Sequence, residues 1–172
     1  MNYRERLHKV NTFIFDFDGV LSDGKIYVLP DGDQIRATDT KDGYAIHYAL
    51  KLGYKVCIIS GGYSDTMRLR FTNFPQMDIF LKVSDKMKTF EEYRKNNQLE
   101  YENIMYVGDD IPDIPVLKLA GIACCPEDAS EEVKTVAHYI SHKKGGSGCI
   151  RDVIEQTLKA QQKWMGADAH IW

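Results

Sequence analysis

Short apolar runs separated by helical periods organise most of the chain. Five runs are long and apolar enough to form buried strands, and a weaker sixth follows them; they cover residues 10–17, 55–60, 78–83, 103–107, 121–125 and 138–141. Near-continuous apolar runs, as opposed to strictly alternating ones, are typical of strands covered on both faces. The pattern therefore predicts a buried parallel sheet.

Helical periods fill the segments between these runs. They cover residues 42–52, 63–71, 86–97, 112–120, 130–137 and 149–164. In the first of them apolar residues such as Ala45 and Ala49 share one face, and the period stops at Gly53, a residue favoured just past a helix end. Strands that alternate with helices imply right-handed crossovers. The predicted fold is α/β, a doubly wound parallel sheet with helices on both faces.

One segment interrupts this alternation. Residues 25–38 form two extended arms around Pro30-Asp31-Gly32, a sequence that favours a tight turn. We predict a β-hairpin that projects from the sheet after the first strand. The rest of the sequence contains no linker or repeat, so residues 1–172 are expected to form one domain, closed by a C-terminal helix and tail over residues 149–172. Tryptophans at 164 and 172 predict that this tail docks on another surface.

Composition narrows the class of protein further. The chain has 172 residues, of which 44% are hydrophobic and 27% charged, with 22 Lys+Arg against 25 Asp+Glu and a net charge of -3. This charge has the wrong sign for a nucleic-acid partner. No apolar run is long enough to span a membrane and the charged first residues do not resemble a signal peptide, so a cytoplasmic location is expected. The four cysteines lack a C-x-x-C pair, which favours buried, reduced thiols.

Polar residues follow four of the predicted strands at the point where each strand ends. They are Asp16 and Asp18 after the first, Ser60 and Gly61 after the second, Lys86 after the third, and Asp109, Asp110 and Asp113 after the fourth. Ligands of open parallel sheets bind beyond the carboxyl ends of the strands, so these side chains are expected to converge. Clustered carboxylates require a cation, and an oxygen-ligated ion such as Mg²⁺ suits them. A hydroxyl, glycine N–H groups and a lysine suit phosphate oxygens.

The same residues resemble the four motifs of the haloacid dehalogenase-like phosphatases over about residues 10 to 155. The motifs are Asp16-Phe17-Asp18-Gly19-Val20, Ser60-Gly61, Lys86 and Gly108-Asp109-Asp110-Ile111-Pro112-Asp113. Three further segments, 19–24, 42–46 and 145–152, together with the hairpin resemble the capless branch that includes 3-deoxy-D-manno-octulosonate (KDO) 8-phosphate phosphatase. The resemblance implies a Rossmann-like core without a cap domain and a homotetramer in which neighbouring hairpins and tails close the site.

The resemblance also implies a mechanism. Asp16 would attack phosphorus to form an aspartyl-phosphate, and Asp18 would act as the general acid and base. Mg²⁺ would be held by the Asp16 carboxylate, the Asp18 carbonyl and Asp109, while Ser60, Gly61 and Lys86 would bind phosphate oxygens. Either Asp110 or Asp113 would orient Lys86 or a metal-bound water; the sequence leaves this choice open.

The implied substrate is a phosphorylated acidic sugar, with KDO 8-phosphate first and a nonulosonate 9-phosphate or another sugar phosphate as the alternative. A sugar carboxylate calls for a cation at the rim, and Arg68 and Arg151 are the candidates. Gly62 departs from the pattern of these relatives, because many KDO-type members carry a basic residue at this position and a nonulosonate type carries Glu. Two hypotheses outside catalysis also stay open. The chain could be a receiver-like phospho-acceptor, although a receiver domain does not need the hairpin, or a scaffold protein that retains the phosphatase fold.

Overall fold

The computed structural model describes residues 2–171 and contains a six-stranded sheet and a two-stranded hairpin. The eight strands are β1 (Thr12–Phe15), β2 (Tyr27–Val28), β3 (Gln34–Ile35), β4 (Lys55–Ile59), β5 (Asp78–Phe80), β6 (Ile104–Val107), β7 (Ile122–Cys125) and β8 (Tyr139–Ile140). The seven α-helices are α1 (Tyr3–Arg6), α2 (Thr40–Lys51), α3 (Asp65–Leu69), α4 (Lys86–Asn96), α5 (Ile114–Leu117), α6 (Glu131–Lys134) and α7 (Cys149–Ala160).

All pairings in the large sheet are parallel, as the sequence predicted, in the order β5-β4-β1-β6-β7-β8. Strand β1 lies in the middle, with Thr12 aligned to Lys55 of β4 and to Ile104 of β6. The four strands whose ends carry the candidate chemistry, β5, β4, β1 and β6, are consecutive in this order. Their carboxyl ends therefore share one edge of the sheet.

Two apolar cores cover the two faces of the sheet. Phe13 and Phe15 of β1 belong to the core that includes α2 and α7, whereas Ile14 belongs to the core that includes α4 and α5. Adjacent residues of a strand point to opposite faces, so one apolar run supplies both cores. The four cysteines are free and buried in these cores, as expected.

Several elements are shorter than the apolar runs suggested. The first strand ends at Phe15 because Asp16 and the residues after it turn away from the sheet. Strand β5 ends at Phe80, and the chain bends at Lys82, whose φ is 59°. The helix predicted over 112–120 begins instead as a 3-10 turn, Ile111–Asp113, and only Ile114–Leu117 is α-helical.

The hairpin is present but has little regular structure. Its strands β2 and β3 contain two residues each, and a single bridge between Ser22 and Thr38 lies at its base. Tyr27 and Val28 are 56% and 69% exposed. A hairpin this short is marginally stable alone and depends on contacts with other elements.

The C-terminal tail docks on α2 of the same chain. The Trp164 ring packs edge-on against the rings of Tyr44 and Tyr48, and the Tyr44 hydroxyl donates to the carbonyl of Ala169. The prediction of a docked tail is confirmed for Trp164, whereas Trp172 lies outside the described residues. Across residues 2–171, no helix combines the length and apolar character needed to cross a bilayer.

Candidate active site

The four strand ends surround one cavity of about 670 Å³. Its lining includes every residue that the sequence placed at the catalytic, phosphate and metal positions: Asp16, Asp18, Ser60, Gly61, Lys86, Asp109, Asp110 and Asp113. The fold thus brings together side chains, such as those of Asp16 and Asp113, that lie almost one hundred positions apart in the sequence.

Lys86 joins two buried carboxylates at the floor of the cavity. Its Nζ lies 2.9 Å from Asp16 Oδ2 and 2.7 Å from Asp113 Oδ1, and all three side chains are at least nine-tenths buried. Burial and the neighbouring Asp113 raise the pKa of Asp16 to about 6. Burial alone would lower the pKa of Lys86, but Asp16 and Asp113 together raise it, so Lys86 stays a cation. Lys86 is the first residue of α4, which Asp85 caps.

Asp113 is held by hydrogen bonds on both of its oxygens. Oδ1 accepts from Lys86 and from the Tyr106 hydroxyl at 2.6 Å, and Oδ2 accepts from the backbone N–H groups of Asp109 and Asp110 at 3.2 and 3.4 Å. Asp110 itself is exposed and accepts from Ile111 N, which caps the following turn. Of the two residues between which the sequence could not choose, Asp113 is the one that contacts Lys86.

Asp109 is the carboxylate that these contacts leave open. Its Oδ1 is buried and has no hydrogen-bond partner among the described residues. Burial, Asp16 and Asp113 raise the pKa of Asp109 to about 8. Its other oxygen approaches Gly19 so closely that a Cβ at that position would lie 2.0 Å away, and Gly19 has a φ of +84°. Glycine at 19 is therefore required on two grounds, and it lets Asp109 reach the Asp16 loop.

Oxygens of Asp16, Asp109 and Asp113 lie within 4.8 Å of one another, a spacing that fits one metal ion. Asp113 is committed to four donors, so Asp16 and Asp109 are the carboxylates available to an ion. An all-oxygen donor set with excess negative charge suits Mg²⁺. A divalent cation here would satisfy the buried Asp109 oxygen and offset the repulsion between the carboxylates. The residues therefore fit the magnesium ion that the sequence predicted.

The opposite wall of the cavity is built by Ser60 and Gly61 at the end of β4. Ser60 is buried, and its Oγ accepts from Gly62 N at 3.2 Å. The Ser60 carbonyl accepts from Val83 N at 3.0 Å, which ties this turn to the segment that leads to Lys86. A hydroxyl, loop N–H groups and an ammonium group thus face the same space, an arrangement suited to phosphate oxygens.

Asp18 has a partner that the sequence analysis missed. Arg36, which follows β3 of the hairpin, donates from Nε to Asp18 Oδ1 at 2.5 Å and from Nη2 to Asp18 Oδ2 at 3.1 Å. The only signal for it in the sequence is a cation on a hairpin arm that starts just after the Asp16 motif. A sequence cannot supply the direction in which such an arm folds, so the contact was not predictable.

The two predicted carboxylate-binding arginines lie elsewhere. Arg68 is exposed on α3 and does not line the cavity. Arg151 lines a second cavity, where its Nε lies 3.3 Å from Glu155 Oε2 and its guanidinium packs on the Trp164 ring. Within one chain, neither arginine contributes to the site built by the strand ends.

Residues 60–151 match the family model described as haloacid dehalogenase-like hydrolase. The chain is 32% identical to the 3-deoxy-D-manno-octulosonate 8-phosphate phosphatase of Yersinia pestis over 163 residues, which cover 95% of this chain and 87% of that protein. It is also 32% identical to the Escherichia coli K12 protein of the same name, over 92% of this chain and 84% of that one. The chain belongs to the haloacid dehalogenase-like hydrolase family.

Solved structures agree with this membership. The Yersinia pestis phosphatase superposes with a TM-score of 0.92 over 95% of this chain and 88% of that one. The Moraxella catarrhalis enzyme of the same name, 30% identical, was solved with magnesium, phosphate and KDO and gives a TM-score of 0.90 over 98% of this chain and 95% of its own. Between the Asp16 motif and Lys86 the chain holds only the hairpin, helices α2 and α3 and strands β4 and β5, so the fold is the capless form.

Proposed function

We propose that the chain is a Mg²⁺-dependent phosphomonoesterase that converts KDO 8-phosphate to KDO and phosphate. The observation that carries the proposal is the cluster of Asp16, Lys86, Asp113 and the unpartnered Asp109 in one cavity. The match of nearly the whole chain to octulosonate phosphatases supports this substrate class. Residues 1–172 would act as one catalytic domain.

In the first step, an Asp16 carboxylate oxygen bonds to phosphorus while the bond from phosphorus to the sugar oxygen breaks. Asp18 gives a proton to the departing oxygen. In the second step, Asp18 takes a proton from water, which attacks phosphorus and restores the Asp16 carboxylate. One acid–base residue thus serves both half-reactions.

The other residues of the cavity hold the phosphoryl group. Lys86, the Ser60 hydroxyl and the Gly61 N–H would contact its oxygens as charge shifts toward the leaving group. The Asp16 and Asp109 carboxylates and the Asp18 carbonyl would hold Mg²⁺, which when bound supplies positive charge to the phosphoryl oxygens. Asp113 would fix Lys86 through the contact described above.

The exposed hairpin supports the proposed assembly. Tyr27 and Val28 offer an apolar surface that a second copy of the chain can cover, which supports a homotetramer in which neighbours close the open cavity. Arg68 or Arg151 would then meet the sugar carboxylate of an adjacent subunit, because neither reaches the cavity of its own chain.

The test is a phosphate-release screen of the purified protein with KDO 8-phosphate, a nonulosonate 9-phosphate and simple hexose phosphates. We expect the highest kcat/KM on KDO 8-phosphate, loss of activity in EDTA and its return with Mg²⁺. Preference for the nonulosonate ester would favour the alternative substrate. No release from any ester would favour a scaffold, and a phosphoryl group that persists for minutes would favour a phospho-acceptor.

A further inference from the structure

The Arg36 guanidinium is almost completely enclosed although it comes from an exposed hairpin. Its side chain is 2% exposed, while Tyr27 and Val28 on the same hairpin are more than half exposed. Two of its nitrogens contact the two oxygens of Asp18 at 2.5 and 3.1 Å, a side-on paired geometry. The third, Nη1, lies 3.4 Å from the Ser64 hydroxyl and from the Gln34 carbonyl.

The turn after β4 leaves room for this pair. A Cβ on Gly62 would lie 2.6 Å from Asp18 Oδ2 and 3.3 Å from Arg36 Nη2. Any larger residue at 62 would therefore press on the Asp18 carboxylate and crowd the Arg36 guanidinium. The ion pair and the missing side chain at 62 fit together as one arrangement.

Stability alone gives little reason for such a pair. A buried ion pair contributes little net stability, because desolvation offsets the attraction. A paired guanidinium does, however, fix the orientation of a carboxylate more firmly than one hydrogen bond can. The Asp18 side chain is 28% exposed and lines the cavity. Without the paired guanidinium, its carboxyl group would be free to rotate.

We propose that Arg36 is a positioning residue that orients the Asp18 carboxyl for proton transfer, with Gly62 providing the space for the contact. The inference rests on the proposed function, in which Asp18 is the acid and base. Arg36 itself touches no reacting atom. A hairpin residue thereby sets the geometry of the proton-transfer step, while the sheet edge sets the geometry of phosphoryl transfer.

The quality of the leaving group separates this role from a structural one. A sugar alkoxide needs a proton to depart, whereas p-nitrophenolate leaves without one. The ratio kcat/KM reports steps up to the first irreversible one, so it isolates leaving-group departure from the later hydrolysis of the aspartyl-phosphate. A misplaced Asp18 should therefore lower kcat/KM for a sugar phosphate and spare that for p-nitrophenyl phosphate.

The experiment compares Arg36→Gln, Arg36→Lys and Gly62→Ala with the unaltered protein on both substrates. For Arg36→Gln we expect kcat/KM on the sugar phosphate to fall about 10²-fold, since general acid catalysis contributes about 10²–10⁴-fold. On p-nitrophenyl phosphate it should fall less than about threefold, with a burst of p-nitrophenolate because the base-assisted second step slows. Arg36→Lys should restore part of the loss, and Gly62→Ala should reproduce it while leaving Arg36 in the chain.

Arg70→Gln is the matched control, because Arg70 Nε donates to the Thr38 hydroxyl at 3.0 Å near the same hairpin base without contacting Asp18. Arg70→Gln should leave kcat/KM for both substrates within about twofold of the value for the unaltered protein. In an Asp18→Asn background, Arg36→Gln should add less than about threefold, since residues that act as one unit are not additive.

The proposal would be overturned if Arg36→Gln lowered kcat/KM equally for both substrates. It would also be overturned if kcat/KM for the sugar phosphate did not change. A full additional loss in the Asp18→Asn background would also contradict it. Failure of the proposed function is distinguishable, because it shows in the unaltered protein. If that protein prefers another ester, the comparison of leaving groups still tests the role of Arg36. If it turns over no ester, the proposed function and the role of Arg36 are both disproved.

Discussion

The edge of the sheet and the hairpin are opposite kinds of structure, and they meet where Arg36 contacts Asp18. The side chains of Asp16, Lys86 and Asp113 are buried, and Lys86 contacts both carboxylates. They lie at a strand end, at the first turn of α4 and in the turn Ile111–Asp113. The hairpin has two-residue strands and exposed apolar side chains. Its Arg36 contacts Asp18, a residue that lines the cavity, without lining the cavity itself.

This difference divides the reaction between the two regions. Phosphoryl transfer needs groups fixed within a fraction of an ångström, which a packed sheet provides. Recognition of one sugar among many needs surfaces that vary, which loops and hairpins provide. Substitutions of the buried residues at the sheet edge should therefore lower turnover of every ester. Substitutions in the hairpin should alter assembly or, at Arg36, the dependence of the rate on the leaving group.

The largest expected effect is at the nucleophile. Asp16→Asn replaces the attacking carboxylate with an amide that cannot form the aspartyl-phosphate, so kcat should fall by about 10⁴-fold or more on all esters. Phosphate release measured on sugar and aryl esters tests this. The far-UV circular dichroism should stay unchanged, since the amide keeps the shape of the side chain. Residual turnover near that of the unaltered protein, in a preparation free of other phosphatases, would disprove the nucleophile assignment.

An intermediate effect is expected for the residue that holds Lys86. Both Asp113 oxygens accept hydrogen bonds. In Asp113→Asn, an NH₂ group replaces one of these oxygens and therefore faces hydrogen-bond donors instead of accepting from them. We expect kcat/KM to fall about 10- to 100-fold and the free energy of unfolding to fall by about 1–3 kcal/mol.

Asp110→Asn is the matched control, because Asp110 lies in the same motif but is exposed. It should leave activity within about threefold and stability within about 0.5 kcal/mol. Urea unfolding and steady-state kinetics measure both quantities. Equal effects of the two substitutions would contradict the role given to Asp113.

The smallest effect on the fold is expected in the hairpin. Replacing Tyr27 and Val28 with serine removes exposed apolar surface and should change the free energy of unfolding by less than about 0.5 kcal/mol per site. Sedimentation should show smaller assemblies, and KM for the sugar phosphate should rise. Leu119→Ser, a substitution of another exposed apolar residue near the amino end of β7, should change neither. An unchanged sedimentation coefficient in the hairpin variant would argue against assembly through this surface.

The sequence predicted the sheet edge well because the physics there is regular. Apolar runs identify buried strands, and parallel strands bring their carboxyl ends to one edge, so Asp16 and Lys86 could be placed together without coordinates. The choice between Asp110 and Asp113 needed the turn Ile111–Asp113, whose shape depends on packing that spacing does not encode.

The contacts of the hairpin could not be predicted from the sequence, for a different reason. Its arms lack a buried face, so no periodicity states which way Arg36 or its neighbours point. The arginines chosen for the sugar carboxylate, Arg68 and Arg151, were selected by charge and proximity to motifs, and neither criterion fixes a direction. Their roles stay predictions that depend on a neighbouring subunit.

The central place of β1 also governs how the molecule forms. Both of its partners arrive late in the sequence, since Thr12 pairs with Lys55 on one side and with Ile104 on the other. Closing such long loops is entropically costly and slows folding. A nascent chain therefore carries the Asp16 motif long before Lys86 and Asp109 exist to surround it, and catalytic competence emerges only when synthesis has passed the middle of the polypeptide and the interior strands have joined.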